Sequence, residues 1–181
     1  MRKLVYSINT TLDGCVDHTK FLPDEDTFAY VIQLTRDAGA FLWGRKTYEL
    51  MVPYWPDAAK EDPGDEFAAA FVAVEKIIVF SASLDQVEDE KTKIVRSGLR
   101  EEVLKLKQEE GKDIFAGGVD LASQLAELGL IDEYHIIVHP IVVGEGKRLF
   151  EGINLQEKLQ LILAESKVFK SGAVVLKYVK Q

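Results

Sequence analysis

The sequence predicts an α/β domain: a mixed, mostly parallel central sheet flanked by helices and closed by a C-terminal β-hairpin. Three observations lead there. Short apolar or β-branched runs alternate with helical segments as far as residue 143. Glycines stand where several of those runs stop. Two strand-like runs, 159–168 and 173–179, then flank Ser171-Gly172. Strand–helix alternation builds parallel sheets, whereas a hairpin can only add antiparallel strands.

The elements read in order. Residues 3–9 are a strand, and Leu12-Asp13-Gly14 is a turn, since Asp and Gly serve tight turns. Residues 24–38 are a helix, with Asp24, Glu25 and Asp26 in its first turn and Phe28, Val31, Ile32 and Thr35 at helical spacing. Residues 39–43 form a buried strand ended by Gly44, and a short helix runs from Arg45 to Leu50. The segment 52–64 carries Pro53, Pro56 and Pro63 and reads as a loop. Strands follow at 76–80, ended by Ser81-Ala82-Ser83, and at 93–96. Ser97 is the expected cap of a helix reaching about residue 110. A strand at 112–116 runs into Gly117-Gly118, and the helix beyond carries Leu121, Ala122, Leu125 and Leu128 on one face. Residues 133–143 are a long strand interrupted by Pro140.

At 181 residues the chain is expected to be one domain, 1–181, able to bury about 70% of its unfolded surface. The net charge of −8 argues against a general grip on nucleic acid or an anionic membrane. A single cysteine, Cys15, excludes a disulfide framework and a multi-cysteine zinc site. His18, His135 and His139 lack metal-ligand spacing, so no metal is expected. No signal-peptide core and no membrane-length apolar run are present, which makes the cytoplasm the expected compartment.

Three strand ends carry candidate anion chemistry. In Gly44-Arg45-Lys46-Thr47-Tyr48, two cations open a helix, where the dipole disfavours them unless an anion is near. In Gly117-Gly118-Val119, paired glycines precede a helix, so backbone can approach a ligand and the helix offers free N–H donors. Ser81-Ala82-Ser83 places two hydroxyls at a strand end. Each has a plain alternative: solvated basic residues, a tight turn needing positive φ, an ordinary serine turn. Together they suit a pyrophosphate plus one further phosphate, and Arg45 with Lys46 favours NADP over NAD by charge. The standard dinucleotide fingerprint and the P-loop are both absent. Gly144-Glu145-Gly146 is the only G-x-G, and Leu149 stands where a third glycine would be.

With these motifs in their order and spacing, the chain resembles the dihydrofolate reductase-like superfamily. Within it, the stand-alone bacterial form of the reductase domain of riboflavin-biosynthesis deaminase–reductases is most similar. The stretches carrying the resemblance are Ser7 through Thr11-Leu12-Asp13-Gly14, Gly44–Tyr48, Gly117-Gly118 and His139 through Gly144-Glu145-Gly146-Lys147-Arg148-Leu149-Phe150. The resemblance implies a three-layer fold binding NADPH across the strand ends. Gly44, Arg45, Lys46 and Thr47 would hold the adenosine side and its 2′-phosphate. Ser81 and Ala82 would flank the adenine or ribose, and Gly117, Gly118 and Val119 would meet the pyrophosphate. The Asp13-Gly14 loop would lie near the nicotinamide. Homodimers are common in the family, and the long strand at 133–143 is the candidate interface.

The zinc-deaminase half is missing, since neither H-x-E nor P-C-x-x-C occurs. Glu25 or Asp26, after Leu22-Pro23, matches the acid that holds the pterin in dihydrofolate reductases; helix-dipole preference alone also explains acids there. Asp13 and Glu25 are the candidate proton sources. Tyr48, Tyr54 and Trp55 offer an aromatic wall or simply pack a proline-rich loop. The expected activity is NADPH-dependent reduction of a small heterocycle of pteridine, dihydrofolate-like or ribosylamino-pyrimidine type. The alternatives are a non-catalytic NADPH or nucleotide binder of the same fold, and a structural dimeric α/β protein.

Overall fold

The computed structural model describes residues 1–21, 24–87 and 89–181. Eight strands form one sheet in the order β4-β3-β2-β5-β1-β6-β8-β7. Strands β1 (Leu4–Thr11), β2 (Ala38–Gly44), β3 (Lys76–Phe80), β4 (Thr92–Val95), β5 (Asp113–Ala116) and β6 (Glu133–His139) run parallel to one another. The hairpin of β7 (Leu161–Val168) and β8 (Val174–Lys180) adds two antiparallel strands beside β6. The mixed, mostly parallel α/β architecture read from the sequence is the one observed.

Strand alternation sends successive side chains to opposite faces, and each face finds its own helices. Leu4, Tyr6, Leu42, Ile78 and Ile114 pack with Val103 and Leu106 of α5 (Leu99–Gln108) and Leu121 and Leu125 of α6 (Asp120–Glu127). Val5, Phe41, Trp43, Ile77 and Phe115 face Ile32 of α1 (Glu25–Asp37), Tyr48 of α2 (Arg45–Met51) and Phe67 and Phe71 of α4 (Glu66–Val72). The result is three layers.

Four expectations need correction. Residues 52–64 are not wholly loop, because α3 occupies Trp55–Glu61. Pro56 sits in its first turn, where proline's missing N–H has no partner to lose. Ser97 does not cap α5; Gly98, at φ 75°, holds that position. The strand beginning at Glu133 stops at His139, ahead of Pro140. Finally, β6 cannot serve as a dimer interface edge, because β1 and β8 pair both of its sides. Helix α4 was not anticipated. The pair Leu22-Pro23 lies outside the described residues.

Strand order positions the site. The chain moves outward through β2, β3 and β4, then returns to insert β5 between β2 and β1. Ligands of open α/β sheets collect beyond the carboxyl ends at such reversals. Here β5 is short. Its last residue, Ala116, pairs with Tyr6, so Ser7–Thr11 of β1 extend beyond it with only β6 beside them. Five residues amount to about 16 Å of strand at the usual rise. Although β1 is central, Ser7, Ile8 and Asn9 are partly exposed.

Candidate functional site

A cleft of about 580 Å³ lies over the carboxyl ends of β2, β3, β4 and β5. It gathers nine of the ten residues expected to hold a cofactor: Gly44, Arg45, Lys46, Thr47, Ser81, Ala82, Gly117, Gly118 and Val119. The tenth, Gly14, lies outside this lining and faces the Arg148 side chain instead.

Among the described residues, three of the four helix starts that lack a side-chain cap meet at this cleft; the fourth, at Tyr54 ahead of α3, lies outside it. Helices α1 and α4 begin with Asp24 and Asp65, whose carboxylates accept backbone N–H groups of the first turn. Helices α2, α5 and α6 begin at Gly44, Gly98 and Val119, and none of these makes a side-chain cap hydrogen bond. All three of those positions line the cleft. The N–H groups of a helix's first turn have no intrahelical partner, so an uncapped start keeps donors and positive dipole for an anion.

The side chains agree with that polarity. Arg45, Lys46, Arg96 and Lys147 line the cleft, against Asp120 as the one acid in its lining among the described residues. Ser81 Oγ accepts from the backbone N–H of Ser83 and Leu84 at 3.2 and 3.0 Å. Its own hydrogen therefore remains available to a ligand acceptor. Arg96 donates to the carbonyls of Ala82 and Asp85, which braces the turn after β3. Close backbone packing is built in as well. Gly118 has φ 83°, and a Cβ there would stand 2.8 Å from Thr47 Oγ1. A Cβ on Gly117 would stand 3.1 Å from Trp43 Nε1. Gly44 has no such restriction. Sequence reading missed Arg96, Ser97, Gly98 and Lys147. The first three carried a findable signal, since Arg-Ser-Gly between strand and helix repeats the pattern read at Gly44-Arg45.

The two candidate acids sit elsewhere. Asp13 is tied into the loop that follows β6: Gly144 N donates to Oδ2 at 2.8 Å, and Arg148 Nη1 meets the same oxygen at 2.8 Å. Thr11 Oγ1 and Val143 N donate to Oδ1. The Thr11 hydroxyl, the Arg148 guanidinium and those backbone donors hold the Asp13 carboxyl well below the usual carboxylate range. Glu25 is exposed at the first position of α1, and Asp26 pairs with Lys170 at 3.4 Å.

Polar groups of the α1 layer lie beside the exposed part of β1. Asn9 Oδ1 and His139 Nε2 are 2.9 Å apart, and Phe21 stacks on the His139 ring at 4.8 Å. His135 does not pair with His139. Tyr30 Oη lies 2.7 Å from His135 Nδ1, and Glu133 Oε2 lies 3.4 Å from His135 Nε2. Burial lowers both histidines, so each favours its neutral form. The expected aromatic wall does not face the cleft: Tyr48 is core, Trp55 packs on Phe67, and the exposed Tyr54 packs edge-on to Trp55 at 4.9 Å.

A sheet of this order, with a cleft at its reversal, can be compared with known proteins. The RibD C-terminal domain family matches residues 2–175. The chain belongs to that family. The uncharacterized protein YyaP of Bacillus subtilis (strain 168) is 33% identical, with 98% of this chain and 94% of YyaP covered. A protein of Shewanella sp. PV-4 assigned to riboflavin biosynthesis shares the fold, with a TM-score of 0.75, 19% identity and 99% of each chain covered. A diaminohydroxyphosphoribosylaminopyrimidine deaminase/5-amino-6-(5-phosphoribosylamino)uracil reductase of Thermotoga maritima aligns with a TM-score of 0.70 and 19% identity. That alignment covers 99% of this chain and 57% of the Thermotoga chain. The fold is thus the dihydrofolate reductase-like fold of RibD-type reductase domains. No helix among the described residues is long and apolar enough to cross a membrane.

Proposed function

We propose that this protein is an NADPH-dependent reductase of a small heterocycle of pteridine or ribosylamino-pyrimidine type. The observation that carries the reading is the convergence of three uncapped helix starts and four cations on one cleft. In this reading Gly117, Gly118 and the start of α6 hold the pyrophosphate. Arg45, Lys46 and Thr47 hold the 2′-phosphate, with Ser81 and Ala82 against the adenosine. NADPH when bound supplies the hydride, and the protein supplies orientation and a proton. Ser7 and Asn9 are partly exposed on the part of β1 that outruns β5, and in this reading the acceptor binds there.

Glu25 keeps the part of proton source. For Asp13 the better role is positioning, because both carboxylate oxygens are already engaged. That engagement also favours a second reading, a non-catalytic NADPH-binding protein. We further infer that two copies pair through β7, an edge strand exposing Ile162, Leu163 and Val168. The family suits a cytoplasmic protein.

Titration with NADPH and NADH, read by fluorescence transfer from Trp43, tests the cofactor. Micromolar NADPH binding with much weaker NADH binding supports it, and binding of neither overturns it. Loss of NADPH absorbance with dihydrofolate or a 5-amino-6-ribosylaminouracil phosphate separates enzyme from binder. Sedimentation gives the copy number.

A further inference from the structure

One ion pair of the cleft works against the anion that the rest of it invites. Asp120 is the first residue of α6, so its carboxylate stands at the helix start that has no side-chain cap. Lys147, from the loop after β6, pairs with it across the cleft. The acid suits the empty helix start through the dipole, yet it repels a phosphate brought to the same N–H groups.

The two partners differ in how firmly they are held. The Lys147 backbone is fixed: Val16 N donates to its carbonyl at 3.0 Å, and Leu149 N donates to the Gly14 carbonyl at 2.8 Å. Cys15 and Arg148 form an isolated antiparallel bridge between those bonds. A Cβ on Gly146 would stand 2.7 Å from Cys15 Sγ, which keeps the two loops in close register. The Lys147 side chain, by contrast, is 43% exposed and Asp120 is 67% exposed. An exposed pair of this kind contributes only about 0–1 kcal/mol, so it exchanges partners readily.

We propose that Lys147 is an exchangeable phosphate ligand: it neutralises Asp120 in the empty cleft and swings onto the ligand's pyrophosphate when the cleft fills. Asp120 then acts as a built-in competitor that lowers affinity and favours release. This inference rests on the dinucleotide reading above, but it concerns only the pyrophosphate end.

The test measures dissociation constants for NADPH and, separately, for ADP, which carries a pyrophosphate without a nicotinamide. The proteins are wild type, Lys147→Gln, Lys147→Arg, Asp120→Asn and the double variant Lys147→Gln/Asp120→Asn. Lys147→Gln is expected to weaken both ligands about tenfold, and Asp120→Asn to tighten both about threefold or more. Lys147→Arg should stay near wild type, and the double variant should fall between the two single neutral ones. Circular dichroism and the urea midpoint should be unchanged throughout, since both side chains are exposed.

Unchanged affinity in Lys147→Gln, or weaker binding in Asp120→Asn, overturns the exchange. If ADP binds with the expected pattern while NADPH does not bind, the exchange stands and the dinucleotide reading falls. If NADPH binds but neither variant differs, the dinucleotide reading stands and the exchange falls. Absence of binding by both probes removes both.

Discussion

The carboxylate of Asp13 and the guanidinium of Arg148 meet at 2.8 Å, and Arg148 also donates to the Asp13 backbone carbonyl. Two loops far apart in sequence are thereby joined into one wall beside the candidate site. Asp13→Asn should loosen the 141–149 loop and lower the urea midpoint, because the hydrogen bonds Asp13 receives from Arg148, Gly144 and Thr11 lose their charged acceptor. NADPH affinity should fall severalfold, since Lys147 belongs to that loop. The acid limb of any pH–rate profile should be unchanged, because a carboxyl held far below its usual range is not the group that titrates there. A lost acid limb would restore Asp13 as the proton source.

Gly118→Ala tests the cradle. The left-handed φ of 83° costs about 1–3 kcal/mol for a side-chain-bearing residue, and the new Cβ presses on Thr47. Gly144→Ala is the control: its φ is 75°, with nothing within 4 Å of a new Cβ. Both should lower the urea-unfolding free energy through the left-handed φ, Gly118→Ala the more because of the contact with Thr47. Only Gly118→Ala should also weaken NADPH and ADP, by tenfold or more at roughly 1.4 kcal/mol per decade.

Arg45→Gln should separate the cofactors. Arg45 is half exposed and only loosely paired with Glu49 at 3.7 Å, so it is available to a phosphate. Removing it should cost NADPH about tenfold, a charge-assisted hydrogen bond's worth, and leave NADH unchanged. Equal losses for both cofactors would place Arg45 at the pyrophosphate instead.

Acid should destabilise the protein in two stages. Burial pushes Glu133 up, but hydrogen bonds from Lys3, Lys177 and His135 outweigh it and hold the carboxyl at about 2. Asp24, bonded by Ser171 and Thr27, is also held at about 2. Carboxyls lowered by folding stabilise above their unfolded values and lose that contribution as pH falls through the folded ones. That stage runs from about pH 4.5 down to 2. Burial also lowers His135 and His139, so their contribution is complete above about 6.5 and is lost below it. Urea midpoints should decline from about pH 6.5 downward and again below 4.5, with the second decline reduced in Glu133→Gln. A flat midpoint from pH 7 to 4 would contradict this.

The sequence by itself determined which segments become strands and which helices carry one apolar face, because those signals are periodic and local. It also marked three strand ends as candidate anion sites, from the glycines, cations and serines that stand at their strand–helix junctions. Helix α3 escaped because three prolines read as loop, although Pro56 occupies the one helical turn that tolerates it. Only the tertiary structure decided what those ends face. The return of β5 between β2 and β1 brings Gly117 to Trp43 and Gly118 to Thr47, contacts that no spacing along the chain encodes. The partners of Asp13 and Asp120, Arg148 and Lys147, were equally hidden. A carboxylate's role follows from the charges and donors that folding places around it, and here they arrive from residues 27 and 135 positions away.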